Sequence, residues 1–440
     1  MDILIKVLQV VAALSILVLV HEFGHFFFAR LFKIRVEKFY LFFNPWFTPF
    51  KFKPKGSETE YGIGWLPLGG YCKIAGMIDE SMDTEALKQD PQPWEFRSRP
   101  AWQRFFVMFG GVLFNFFLAI LIYSATLYTW GEEILKNSDA IYGVQCNDLA
   151  LEMGFRHGDR VLAIDGETVN RFQDIQIDIA RNQAENVTVL RGADTINIPV
   201  NQKYIPAILN TPGMFGLRMP FVVLAVPDSS INKGLLLPGD KIVGMDSLEV
   251  FIIQDIQEIL SKKVSSEVNV KIERSGSFVA ETLKVDSLGR LGVFLNSDPK
   301  SFFNVTLSDY TLLSAIPAGF TRTISTLTNY VKELGLIFSP KTEAYKSVGS
   351  FITIGSIFPS SWVWEVFWNI TAWLSIMLAV VNLIPIPALD GGHILFVLYE
   401  MITGRKPSDK FLEYAQVAGL IIILGLVFLS FGNDIYRLFK

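Results

Sequence analysis

Charge is absent from four long stretches of this chain and concentrated everywhere else. From Val7 to Val20 every residue is uncharged and nearly all are apolar. After a short polar interruption, Phe26, Phe27, Phe28, Ala29, Leu31 and Phe32 extend the run with Arg30 as its only charge. Phe105–Trp130, Val366–Leu389 and Tyr414–Asn433 likewise contain no Asp, Glu, Lys or Arg. A helix needs about 20 apolar residues to cross a hydrocarbon core of about 30 Å. The pattern therefore predicts four transmembrane helices, within residues 1–32, 105–131, 361–400 and 411–436. Lys6 and the apolar stretch after it also imitate a signal peptide, but no small-x-small cleavage site follows and the apolar run continues through the interruption.

Between the second and third runs the pattern changes to short alternating segments with turn residues, and it repeats. Gly158-Asp159-Arg160-Val161-Leu162-Ala163-Ile164-Asp165-Gly166 returns as Gly239-Asp240-Lys241-Ile242-Val243-Gly244-Met245-Asp246-Ser247, which implies two copies of one small domain. Each copy continues with a helix-like stretch, Asp174–Asn182 or Gln254–Lys263. A strand pair follows: Val187–Arg191 with Thr195–Val200, and Val268–Arg274 with Val279–Val285. Gly-Asp-x-Val/Ile followed by an Asp-Gly turn resembles the PDZ domain, here as a tandem pair at 132–218 and 219–300. That resemblance implies recognition of an extended peptide or chain end by strand addition. The alternative is a pair of β-rich modules with no peptide ligand, acting as size filters. Ser247 replaces the turn glycine, so the second copy is the less regular.

Composition fits a membrane protein with a soluble part. Half of the residues are hydrophobic and 37 are phenylalanine, yet 19% are charged, too many for a chain buried throughout in lipid. The expected fold class is a multi-pass α-helical membrane protein with four transmembrane helices and two inserted PDZ-like α+β domains. A net charge of −4 argues against nucleic acid as a partner. Residues 30–104 carry twelve Lys and Arg against nine acids, with Lys33, Arg35 and Lys38 after the first run and Arg97, Arg99 and Arg104 before the second. Arg405, Lys406 and Lys410 mark the short loop after the third. Basic flanks face the cytoplasm, which places both ends and the middle region outside it. Cys72 and Cys146 then lie on opposite sides of the membrane and form no disulfide with each other.

The polar interruption in the first run is His21-Glu22-Phe23-Gly24-His25, and it holds two of only four histidines in the chain. Residues four apart share a helix face, so both imidazoles can reach one Zn2+ ion, while Glu22 beside them can hold a metal-bound water. An ionisable cluster inside a membrane span is costly, which makes function the default reading. A catalytic zinc usually takes three protein ligands. The candidate third lies in Asn382-Leu383-Ile384-Pro385-Ile386-Pro387-Ala388-Leu389-Asp390-Gly391-Gly392-His393. Pro385 and Pro387 interrupt a helix, which membrane interiors tolerate where backbone lines a polar site. Asp390 is thus either a ligand or the cap of a helix starting at His393.

Together, His-Glu-x-x-His in the first span, the tandem PDZ-like region, and Asn-x-x-Pro-x-Pro-x-Leu-Asp-Gly-Gly near the end of the third resemble the site-2 protease family, in its bacterial regulator-of-sigma-E protease branch. The match spans essentially the whole chain. The resemblance implies His21, His25 and Asp390 as zinc ligands, Glu22 as catalytic base, and Asn382 and Pro385 as residues that hold the substrate strand. It implies a bacterial inner membrane location and single-pass membrane proteins such as anti-sigma factors, or signal-peptide remnants, as substrates; the basic flanks, with His21 and His25 in the second half of a span running inward, place the active site nearer the cytoplasmic face. Membrane lipid is the surrounding partner.

Other stretches point less sharply. Tyr61–Lys73 is Gly-rich with alternating apolar residues, a β-hairpin signature within the expected cytoplasmic loop 33–104, and serves as a surface hairpin or as an edge near the site. Gly110, Gly111 and Asn115 suggest close helix packing in the second span, with a hydrogen bond near the site as the other role for Asn115. Thr311–Phe338, within the segment 301–360, reads as an amphipathic helix along the outer membrane interface. Val348-Gly349-Ser350-Phe351-Ile352 stands where relatives often carry Gly-Pro-Ile. His157 and His393 read as structural.

Overall fold

The computed structural model describes residues 2–67, 69–77, 90–211, 213–339, 342 and 344–439. The Tyr61–Lys73 stretch and the loop 33–104 therefore each include positions outside the described residues. Two compact units emerge: one built from 1–131, 309–335 and 345–440, the other from 132–308 and 336–344.

The first unit is helical, and the chain is a multi-pass membrane protein. Asp2–Leu31, Ala101–Trp130, Trp364–Leu383 and Lys410–Tyr436 are long and apolar enough to span a membrane. Such helices are apolar all round, so hydrophobicity does not choose the packed face; size and polarity do. In the first span the buried stripe is Gln9, Ala13, Leu17, His21, His25 and Ala29, four residues apart along one side, with Gly24 beside it. Gly24 meets Gly110 of the second span so closely that a Cβ on either would strike the other's backbone carbonyl. The third span joins the second through Ser375, whose Oγ donates to the Asn115 carbonyl at 2.8 Å. The fourth span, in a helix that runs Asp409–Leu438, begins at Ser408, whose hydroxyl accepts from the Phe411 amide.

Two expectations need correction in this unit. The third uncharged run is not one helix through residue 400. It stops at Leu383, and a separate helix, Asp390–Thr403, begins at the aspartate itself. Pro385 and Pro387 have no amide hydrogen to continue the ladder, so the run divides there. Tyr61–Lys73 is not a hairpin either. Glu60–Ile63 and Tyr71–Ile74 are strands, but Val36–Leu41 lies between them, parallel to the first and antiparallel to the second. With Phe50–Phe52 they form a four-stranded sheet in which Phe50–Phe52 is one outer strand and Tyr71–Ile74 the other. The alternation was read correctly as strand; a strand distant in sequence took the pairing that adjacency suggested.

The helix Leu312–Ile337 packs on the spans. Gly319 rests against the Ser124 backbone, and Arg322 lies over the Tyr123 ring at 5.0 Å. In the 348–352 stretch, the Ser350 hydroxyl donates to Asp434 Oδ2 of the fourth span at 2.5 Å, and Thr353 Oγ1 donates to Oδ1 at 2.6 Å.

The second unit contains both copies of the repeat. In the first, Asn186–Arg191 pairs antiparallel with Asp194–Pro199 and with Arg160–Ile164. In the second, Glu267–Arg274 sits between Lys241–Met245 and Ser277–Lys284. Helices Ile175–Arg181 and Ile253–Ser261 each send isoleucines into the core of their own copy. The strand Glu132–Leu135 pairs with Val305–Ser308, so the unit reaches past residue 300 to close on its own beginning.

The repeated Gly-Asp has a physical reason. Asp159 is buried and accepts from Arg191 Nε and Nη2, both at 2.8 Å, and from the Arg156 amide at 2.8 Å. Asp240 does the same with Arg274, at 2.8 and 2.7 Å, and with the Leu237 amide at 2.8 Å. The Asp-Gly turn is also explained. Asp165 and Gly166 both hold positive φ, +49° and +84°, and the strands around them pair as Ile164↔Glu167 and Ala163↔Thr168. With Ser247 in place of glycine only Asp246 holds positive φ, and the pairing shrinks to a single bridge between Met245 and Leu248.

Cys146 lies buried in the first copy, and burial, with the Asp159 charge adding to it, pushes its thiol up to about 12. The reactive species is the thiolate, so at pH 8 the native thiol stays neutral and resists iodoacetamide. Asp159→Asn breaks the buried fork, at a cost of about 3 kcal/mol. It should accelerate Cys146 labelling by about a hundredfold through opening of this copy; an unchanged rate would remove the fork from the stability of the fold.

Candidate metal centre

The first span sets His21 and His25 on its buried stripe, and both rings turn toward the break that follows the third span. His21 Nε2 and His25 Nε2 are 3.2 Å apart. Asp390 Oδ2 lies 3.2 Å from the first and 3.4 Å from the second. All three residues keep less than a fifth of their side chains exposed. Asp390 reaches this point because the chain leaves the third span at Leu383, turns through two prolines, passes Ala388 at φ +93°, and starts a new helix with the carboxylate in its first turn. Gly391 allows that turn to close: a Cβ there would strike the carbonyls of Leu383 and Ile384. The start of the new helix is uncapped by Leu389, and Asp390 belongs to the helix and is not its cap.

Three electron-pair donors converge with too few protons between them. Among the described residues these are the group that suits a metal ion, their ligand atoms all within 4.8 Å of one another. Asp390 Oδ2 is buried and has no hydrogen-bond partner. Tetrahedral zinc with bonds of about 2.0–2.1 Å holds its ligand atoms about 3.3 Å apart. The three separations fall at that value, so the donor set fits zinc in type, number and spacing.

The back of each imidazole is held by the second span. His25 Nδ1 is 2.8 Å from the Val107 carbonyl, which only accepts, so this nitrogen carries the proton and Nε2 presents its lone pair. His21 Nδ1 is 3.3 Å from the Asn115 amide, and Asn382 Nδ2 lies 3.3 Å from His21 Nε2. Glu22 projects beside the pair, and its carboxylate meets the backbone amide of Cys72 on the outer strand Tyr71–Ile74. Of the positions expected from sequence, His21, His25, Asp390 and Asn382 come together. Glu22 adjoins them, and Pro385 lies exposed in the break. His393 lines a cavity with Arg97, Arg104 and Gln416, and His157 accepts from the Cys146 amide at 3.2 Å.

Sequence reasoning did not foresee the Val107 carbonyl or the Cys72 amide. Neither is a side-chain function, so no residue type marks it. Arg104 was read as a flank charge, but it is buried and paired with Glu400 of the helix after the break, which ties that helix to the second span. Gly111, expected to pack closely, does so against the two rings themselves: a Cβ there would lie 2.5 Å from His21 Cε1 and 2.6 Å from His25 Nε2. Gly111→Ala should therefore lower bound metal per chain by more than tenfold while the helical circular dichroism stays unchanged. Full metal occupancy in that variant would show that the rings have room to spare.

Known proteins resemble this chain along nearly its whole length. The family model for peptidase family M50 matches residues 9–426. A Xylella fastidiosa protein, by its name a candidate zinc metalloprotease, is 28% identical over 99% of this chain and 99% of its own. A Pasteurella multocida protein with the same kind of name is 28% identical over 97% and 98%. The regulator of sigma E protease of Haemophilus influenzae is 27% identical over 97% of this chain and 98% of its own. The model match contains both histidines of the first span and the aspartate after the break, and this chain belongs to peptidase family M50.

Proposed function

We propose that this protein is a zinc-dependent intramembrane endopeptidase that hydrolyses peptide bonds in the transmembrane segments of single-pass membrane proteins. One observation carries the reading: two histidines of an apolar span and an aspartate from a broken one place their donor atoms 3.2–3.4 Å apart, with a glutamate beside them. His21, His25 and Asp390 would hold the ion. When bound, zinc polarises the scissile carbonyl and lowers the pKa of water from about 15.7 toward 7. Glu22 takes the proton from the attacking water and delivers it to the leaving amine.

A peptide bond inside a helix has its carbonyl already engaged, so the substrate must unwind before attack, and its freed backbone groups need partners. The outer strand Tyr71–Ile74 offers a backbone edge next to Glu22, and Asn382 offers an amide beside His21. Pro385, exposed in the break, borders the same path. The two repeats in the second unit we read as PDZ-like domains on the outer side of a bacterial inner membrane, which admit a trimmed substrate or bind its chain end. The basic flanks support that orientation, with the site nearer the cytoplasm. The name of the Haemophilus influenzae relative favours an anti-sigma factor as substrate, with signal-peptide remnants as a second class.

Glu22→Gln should lower cleavage of a membrane-embedded reporter by about 10³-fold or more without loss of zinc. Persistent cleavage by the purified variant would sink the assignment. Asp390→Ala should lose zinc as well as activity, measured as metal per chain after dialysis; normal stoichiometry would remove Asp390 from the ligand set.

A further inference from the structure

Asn115 is fully buried in the second span, and its amide faces the outer nitrogen of one metal-site histidine. Its Nδ2 lies 3.3 Å from His21 Nδ1, while its Oδ1 is buried with no partner. Buried polar atoms in folded proteins are generally hydrogen-bonded, so an orphan next to the site asks for a reason. The two histidines are not held alike. His25 leans on the Val107 carbonyl, a fixed acceptor 2.8 Å away, so its Nε2 is always the bare nitrogen. His21 leans on a side-chain amide, which can turn over and offer either a donor or an acceptor.

These two states correspond to the two tautomers of His21. With the Nδ2 group toward the ring, Nδ1 accepts and Nε2 carries the proton, so no lone pair of His21 faces Asp390 Oδ2, 3.2 Å away. With the amide turned, Oδ1 faces the ring, accepts from Nδ1–H, and leaves the Nε2 lone pair pointing at the other two donors. Only the second arrangement leaves a lone pair on His21 Nε2 for a metal. We propose that Asn115 is a positioning residue: its Oδ1 accepts from His21 Nδ1–H and fixes the tautomer in which Nε2 faces the metal. The proposal rests on the zinc-site reading above. It explains why an amide, and not an aliphatic side chain, sits at this place in an uncharged span. Leucine would pack there but leave Nδ1–H unpaired, whereas aspartate would supply an acceptor in every state. Removing such an outer partner typically costs 10- to 100-fold in metal affinity.

The test is zinc affinity of the purified full-length protein, measured by competition with a chromogenic chelator, for wild type, Asn115→Leu and Asn115→Asp. Ser375→Ala serves as a packing control, because it deletes a bond to the Asn115 carbonyl without touching the ring. Asn115→Leu should weaken zinc binding about 10- to 100-fold, Asn115→Asp should match or exceed wild type, and Ser375→Ala should leave affinity unchanged. If Asn115 only packs helices, Asn115→Asp, with a buried charge, would be the weaker of the two variants, and that order overturns the proposal. Wild-type affinity in Asn115→Leu overturns it as well. Should Asn115→Leu fail to fold, the aspartate variant decides alone, a loss of affinity beyond tenfold standing against the proposal. A wild-type chain that takes up no zinc would overturn the metallopeptidase reading itself, an outcome distinct from equal zinc binding by wild type and variant.

Discussion

Everything in the membrane unit depends on three electron-pair donors meeting where there is no bulk water to hold them apart. His21, His25 and Asp390 sit 3.2–3.4 Å from one another, and one carboxylate oxygen has no hydrogen-bond partner. Groups so placed repel or compete for protons until a cation joins them, and their burial forbids rearrangement toward solvent. The surrounding helices are shaped to tolerate this. Gly24 and Gly110 let the first two spans approach backbone to backbone, and Gly111 leaves space for both rings. Close packing of small residues is the available means of joining helices in lipid, and here the same closeness makes the site.

The third donor comes from a break and not from a helix face. Two prolines remove amide donors where the third span ends, and the chain restarts as Asp390–Thr403 with its aspartate already inside the site. Arg104, buried and paired with Glu400, ties the new helix to the second span. The strand Tyr71–Ile74 comes to Glu22 through the Cys72 amide, so a glutamate, the three candidate ligands and the outer strand of a sheet share one location.

The second unit obeys different physics because it can use water. Its two copies keep a buried Asp gripped by an Arg fork and by a backbone amide three residues earlier, Asp159 with Arg191 and Asp240 with Arg274. The charge is fully paired, which allows an ion pair to fix the register of a small β module. Where the repeat varies, the structure varies with it. Ser247 in place of the turn glycine leaves one bridge where the first copy has a two-residue ladder.

Much of this was legible from residues alone, and what was not has a common cause. Charge-free runs mark the spans because lipid penalises charge wherever it occurs, and His21 with His25 marks a metal face because helix geometry fixes residues four apart. The repeat fixed two similar modules, since the buried Asp and its turn are local signals. Sequence could not exclude the Tyr61–Lys73 hairpin, because strand alternation is local while the choice of partner is not, and Val36–Leu41 took the central place. Nor could it end the third span at Leu383, because an uncharged run satisfies lipid whether or not it is continuous. The sequence by itself determined which side chains carry the chemistry, since residue type and helical period are properties of the chain. Only the tertiary structure decided that Asp390, Asn115 and the Val107 carbonyl attend the two histidines and that the Cys72 amide meets Glu22, because those contacts depend on how distant segments pack.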